Sequence, residues 1–151
     1  MGNTFVLGYD DSLSANAALA ETIRRAPPLG ADVCVVFGYY ISAFGGPAVE
    51  GESTDFRSQL EGVGSRAVGR AVADLEAAGI TVSSRIQEGR PADVLMAVAT
   101  EIGAGTIVVG TVGENPVSGA LLGSVVLKLV QRSSTPLLIV PTQKGPKSGR
   151  S

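Results

Sequence analysis

Apolar and polar positions alternate along the chain in two rhythms. Short apolar runs, Thr4-Phe5-Val6-Leu7-Gly8, Asp32 to Phe37, Thr106 to Val109 and Leu137 to Val140, are separated by longer stretches whose apolar residues recur every three or four positions. The runs read as buried strands and the stretches as amphipathic helices. In the first helical stretch Ser12 or Ser14 caps, Ala15, Ala18, Leu19, Thr22 and Ile23 share a face, and Pro27-Pro28 closes the pattern after about Arg25. Residues 41–53 are glycine-rich without a period and read as a loop. A long helix follows from about Asp55 to Ala78, with Gly62, Gly64 and Gly69 weakening it and Gly79 placed to end it. Ile80 to Gln87 alternates, as a strand near a sheet edge does. Pro91 suits a helix first turn, and Val94, Leu95, Val98 and Ile102 form one face before Gly103 and Gly105 stop the helix. Val117 to Arg132 is mostly helical in pattern, most clearly from Val125. Pro136 introduces the last strand and Pro141 closes it.

The order βαβαβαβαβ predicts an α/β fold: an open, doubly wound parallel sheet with helices on both faces. Right-handed crossovers leave a point where the strand order reverses, and ligands bind there, beyond the strand C-termini. If the first and fourth strands are neighbours at that point, Gly8-Tyr9-Asp10 and Gly110 face one crevice.

The 151 residues suit one domain, residues 1–142, with the polar residues 143–151 read as a disordered tail. The chain is 44% hydrophobic but 5% aromatic and lacks Trp, so Val, Ala, Leu and Gly build the core. With a net charge of −2 and no basic run longer than a pair before the tail, nucleic-acid binding has little support. No apolar run reaches the length of a membrane span, and a strand beginning at Thr4 leaves no room for a leader. The single cysteine, Cys34, lies in an apolar strand and reads as a small buried hydrophobe, which fits a reducing cytosol. The absence of histidine excludes His-based triads, bases and metal ligands.

One pattern carries chemistry. Gly110-Thr111-Val112-Gly113 follows the fourth strand, nine residues intervene, and Gly123-Ser124 opens the last helix. Glycines let backbone approach an anion closely, and the free N–H groups and dipole of a helix N-terminus attract one. The spacing is neither G-x-G-x-x-G nor a P-loop. Asp10 could hold Mg²⁺ beside phosphates or accept a ribose hydroxyl, or simply shape a turn. Asp11 reads as a turn or cap residue and Arg90 as a solvated charge. Lys128 and Arg132 complement a helix C-terminus. Thr111 is either a ligand contact or a turn residue. Gly38 leaves room for a flat base, and Tyr39 and Tyr40 either stack on it or cover the sheet edge.

These residues resemble the universal stress protein family over about residues 3 to 141. Gly110, Gly113, Gly123 and Ser124 match its G-x2-G-x9-G-[ST] motif in every position and gap. Gly8-Tyr9-Asp10-Asp11-Ser12 with Ala18-Leu19 is similar to its first-strand segment, Glu88 to Ala92 to its third-strand turn, and Thr135 to Pro141 to its closing strand. The resemblance implies a Rossmann-like sheet in the order 3-2-1-4-5, related to the adenine nucleotide alpha hydrolases, and a homodimer through Leu137, Leu138, Ile139 and Val140. It implies ATP, alone or with Mg²⁺ at Asp10, or another adenine nucleotide as ligand. By position, Gly8, Tyr9 and Asp10 would contact the nucleoside and Gly38 and Val109 would flank the base. Gly110, Gly113, Gly123, Ser124, Val125 and Val126 would surround ribose and phosphates. Three departures bear on phosphates: Val112 where members often have Arg or His, Val126 where they often have Ser or Thr, and Asp11 for a common glycine. The implied role is a cytoplasmic, nucleotide-dependent regulator in stress adaptation, with no catalytic residue and at most slow ATP hydrolysis. A non-ATP-binding, dimeric interaction module of the same fold is the alternative. A phosphoacceptor receiver is disfavoured by Gln87-Glu88 where its third strand would end in Asp. No redox-cofactor or pyrophosphate-loop motif supports the other folds of similar sheet.

Overall fold

The computed structural model describes residues 3–41, 50–111 and 123–142. In chain order the elements are β1 (Thr4–Gly8), α1 (Leu13–Leu29), β2 (Asp32–Tyr39), α2 (Glu50–Ala77), β3 (Val82–Glu88), α3 (Pro91–Ile102), β4 (Thr106–Gly110), α4 (Ser124–Arg132) and β5 (Leu137–Val140). All five strands pair in parallel, in the order β3-β2-β1-β4-β5. The expected architecture is therefore the observed one, with the alternating strand β3 at one edge and β5 at the other.

The central strands are apolar at successive positions because both faces of the sheet are covered. Phe5 and Leu7 of β1, Val33 and Val35 of β2, and Val108 of β4 enter a core with α1 and α2. Val6, Cys34, Val36, Ile107 and Val109 enter a second core with α3 and α4. Cys34 is buried, in accord with its apolar setting. Each fully buried Val or Leu side chain contributes about 1.5–3 kcal/mol relative to exposure.

Three helix boundaries differ from the sequence expectation. Helix α1 does not stop at Pro27-Pro28 but contains both and runs to Leu29. Proline's fixed φ is helical, so in a last turn it removes a donor without forcing the chain out. The exit comes at Gly30, left-handed at φ 62°, whose N–H bonds to the Ala26 and Pro27 carbonyls. Ser12, rather than Ser14, is the N-cap and accepts the Ala15 N–H at 3.1 Å. Helix α2 starts at Glu50, inside the stretch read as loop. The acidic Glu50 and Glu52 suit a helix N-terminus, a charge preference that a search for apolar periodicity overlooks. Helix α4 begins only at Ser124, with Gly123 as an extended N-cap at φ −74° and ψ 163°. Residues 117–122 of that expected helix lie outside the described residues.

The glycines of α2 are not equivalent. A Cβ on Gly64 would meet the Phe37 ring at 2.5–3.1 Å, so this glycine admits a close contact between α2 and β2. Around Gly69 nothing lies within 4 Å of an added Cβ. Gly69→Ala should therefore stabilise the protein by about 0.5–1 kcal/mol in denaturant unfolding, through helix propensity alone. Gly64→Ala should lose that gain or reverse it, because the Phe37 ring must move.

Candidate functional site

The strand order reverses between β1 and β4, so the expected crevice opens at their C-terminal ends. A cavity of about 260 Å³ occupies it, on the α3/α4 side of the sheet. Its floor is set by register. Gly8 is paired with Val36, and Leu7 with Val108, which brings Val109 beside Gly8 on the same face. A Cβ on Gly8 would stand 3.0 Å from Leu95 and 3.2 Å from Val109, and one on Gly38 3.1 Å from Pro91 and 3.2 Å from Val94. Two neighbouring strands thus omit a side chain where helix α3 passes over them, and backbone forms the floor.

Of the expected site residues, Gly8, Tyr9, Asp10, Gly38, Val109, Gly110, Gly123, Val125 and Val126 line this cavity. Ser124 is exposed at the first turn of α4 and is not among the lining residues. Gly113 and Val112 lie outside the described residues. Sequence reasoning missed Ser12, Ala15, Val36, Phe37, Pro91 and Leu95 as wall residues. Pro91 and Leu95 were visible only as parts of a helix; the reversal rule, extended to the helix that crosses over β1, would have found them.

Gly110 faces the other way. A Cβ there would overlap the hydroxyl and backbone carbonyl of Ser14, so this glycine lets the start of α1 sit directly on the end of β4. Its backbone lines the cavity while its missing side chain makes room for the helix. Beyond it, the Gly123 N–H donates to the Thr111 carbonyl at 2.7 Å. The strand end and the helix start that frame the glycine motif are thereby joined.

The β1–α1 turn divides its polar groups between two sides. Asp10 faces the cavity, and its Oδ1 accepts the Ser12 N–H at 3.0 Å, so it shapes the turn as well. Asp11 adopts a left-handed φ of 67°, the conformation for which glycine is the least strained choice. Its carboxylate forms an ion pair with Arg70 of α2 and accepts the Tyr9 hydroxyl at 3.0 Å. The Tyr9 hydroxyl also lies 2.6 Å from the Asn16 side-chain oxygen, and the two acceptors share its one proton. The Tyr9 ring is buried in the α1/α2 core, which leaves backbone on the cavity side. Burial foremost, then the Asp11 carboxylate, raises the Tyr9 phenol well above its ordinary value.

Tyr39 and Tyr40 do not line the cavity. Tyr39 is buried and donates to Glu61 at 3.0 Å, and burial first, then Glu61, raises its phenol. Tyr40 is half-exposed, with the Arg90 guanidinium 4.4 Å from its ring centroid, which gives the solvated Arg90 an aromatic neighbour. Lys128 bonds Asp93 at 3.0 Å, joining α4 to the first turn of α3 rather than serving a helix terminus alone. Among the described residues Asp10 is the one carboxylate in the cavity wall. Among the described residues no three His, Cys, Asp or Glu side chains cluster as metal ligands. A single carboxylate suits Mg²⁺ that shares its ligands with a phosphate, and not a metal held by protein alone.

A doubly wound parallel sheet with a glycine-floored cavity at its reversal point belongs to the class of α/β folds that bind small ligands beyond their strand ends. Within that class the chain belongs to the universal stress protein family, whose model matches residues 1–141. Universal stress protein MJ0531 of Methanocaldococcus jannaschii is 27% identical over 139 residues, covering 92% of this chain and 82% of its own length. The structure of hypothetical protein MJ0577 superposes with a TM-score of 0.86 at 21% identity, over 96% of this chain and 99% of that one. A universal stress protein in complex with cAMP superposes at 0.68 with 29% identity, over 93% of this chain and 98% of that one.

Two predictions follow from the local geometry. Gly110→Ala should lose about 1–3 kcal/mol of stability in denaturant unfolding, because Ser14 and α1 must shift to admit the methyl group. Tyr9, with a phenol raised in the folded state, contributes stability that is fully present below its unfolded value near about pH 10 and is lost as pH rises through the folded value. The unfolding free energy of wild type minus that of Tyr9→Phe should accordingly be flat through neutral pH and fall only above about pH 10. A difference that falls already near neutrality would contradict this.

Proposed function

We propose that this universal stress protein binds an adenine nucleotide in the cavity at the β1/β4 reversal and acts as a nucleotide-dependent regulator in stress adaptation. The observation that carries this reading is the bare backbone floor made by Gly8 and Gly38, faced by the N-terminus of α4. A flat base fits an apolar slot walled by Val36, Leu95 and Val109, and the free N–H groups at Ser124 suit a phosphate. The cAMP complex of a family member at 29% identity supports a nucleotide as the ligand class. ATP, with Mg²⁺ brought on its phosphates and met by Asp10, is one candidate; cyclic AMP, AMP and ADP are others. Gly113, Ser124, Val125 and Val126 would lie on the phosphate side.

The proposal assigns no catalytic residue. Asp10 is the one acid lining the cavity among the described residues, so slow hydrolysis of a bound triphosphate is the most we assign to the site. We read the location as cytoplasmic, in accord with the buried free thiol of Cys34. We further read the protein as a homodimer through strand β5. Its outer edge has no partner strand among the described residues, Leu137, Leu138 and Ile139 are only half-buried, and Leu13, Leu127 and Val130 stand exposed.

Calorimetric titration of the purified protein with adenine nucleotides, with and without Mg²⁺, tests the reading. Saturable binding should be weakened about tenfold or more by Gly8→Val, whose branched side chain enters the floor. Ser124→Ala should weaken phosphate-bearing ligands by about tenfold while leaving adenosine unaffected. A folded protein that binds no adenine nucleotide at millimolar concentration would sink the reading and favour the interaction module.

A further inference from the structure

We propose that Arg70, a residue of α2 outside the cavity, is a positioning residue for the ligand: it holds Asp11 in the conformation that keeps Asp10 and Ser12 turned toward the cavity. This rests on the nucleotide reading of the same site and adds what holds one wall of it in place. Among the described residues Asp11 is the one non-glycine residue with a positive φ, 67°. It stands between two residues that line the cavity, Asp10 and Ser12, while neither Asp11 nor Arg70 lines it.

The turn is pinned on either side of Asp11. Before it, the Tyr9 N–H donates to the Val36 carbonyl at 3.0 Å. After it, the Asn16 N–H donates to the Ser12 carbonyl at 2.9 Å, and Ser12 Oγ accepts the Ala15 N–H at 3.1 Å. The left-handed step between these anchors lets the Asp10 carboxylate accept the Ser12 N–H at 3.0 Å with both residues at the cavity. That step is strained for any residue with a Cβ, though less for Asp than for most. At Asp11 the side chain offsets the strain: its carboxylate pairs with Arg70 and accepts the Tyr9 hydroxyl at 3.0 Å. Tyr9 is fixed by its place in the α1/α2 core, whereas the Arg70 pair lies at the surface, open to water and salt. Without the Arg70 charge Asp11 loses its counter-ion, the left-handed step relaxes part of the time, and Asp10 and Ser12 turn from the ligand. A glycine at position 11 takes the same φ unaided, so with glycine there the cavity no longer depends on Arg70.

The test is calorimetric titration of the full chain with adenosine, AMP, and ATP with Mg²⁺, at low and at raised salt. Arg70→Met should weaken binding about two- to fivefold, the range open to an exposed ion pair. Arg70→Lys, which keeps the charge, should stay within about twofold of the wild type. Asp11→Gly should bind as the wild type does, and Arg70→Met added to it should cost nothing further. Raised salt should weaken even uncharged adenosine in the wild type, and leave its affinity for Asp11→Gly unchanged. Wild-type affinity in Arg70→Met, or an equal loss from Arg70→Met with and without Asp11→Gly, would overturn the positioning role and leave the nucleotide reading standing. A folded wild type that binds none of the three ligands would overturn both.

Discussion

A parallel sheet apolar on both faces has to be covered on both, and nearly everything else in this protein follows from that requirement. Val6, Cys34 and Val36 are as buried as Leu7, Val33 and Val35, though they point to opposite sides. The chain therefore lays α1 and α2 on one face and α3 and α4 on the other. Doing so with crossovers of one hand makes it grow outward from β1 to β3, then return and grow the other way through β4 and β5. The gap where growth changes direction cannot be roofed by either crossover, and it is there that the cavity lies. The site is a by-product of solving the covering problem.

Glycine then decides what that gap becomes, by subtraction and on both faces. Gly8 and Gly38 remove side chains on the α3 side and leave an open floor. Gly110, one strand over and pointing oppositely, removes one on the α1 side and lets a helix settle directly onto the strand end. The same residue type thus creates space in one direction and eliminates it in the other. The turn after β1 is sorted in a similar way: Asp10 toward the cavity, Asp11 toward Arg70 and away from it.

Much of this could be read from the chain because it depends on local pattern. The strands, their order along the chain and the crevice between the ends of the first and fourth were legible from apolar rhythm and the reversal rule. Most of the expected wall residues follow from that crevice alone. What could not be read depends on sidedness or on tertiary support. Whether Gly110 serves the ligand side or the helix side turns on the register of β4 against β1. The Tyr9 ring could not be assigned to the α1/α2 core until Asp11 and Asn16 were seen around its hydroxyl. Pro27-Pro28 looked like a stop because proline breaks helix interiors, yet in a last turn its fixed φ is compatible and Gly30 makes the exit. The early start of α2 was hidden by a glycine-rich composition that its acidic residues outweighed.

The hydrogen bond from Gly123 to Thr111 has a consequence for how such a protein diversifies. It ties the residue after β4 to the N-cap of α4, so both ends of the motif segment are held by the sheet and the helix. The residues between those two ends can change identity under selection for one ligand or another at the motif's fixed spacing, while the floor at Gly8 and Gly38 and the two cores stay as they are. Specificity on the phosphate side and stability of the domain are then separately evolvable.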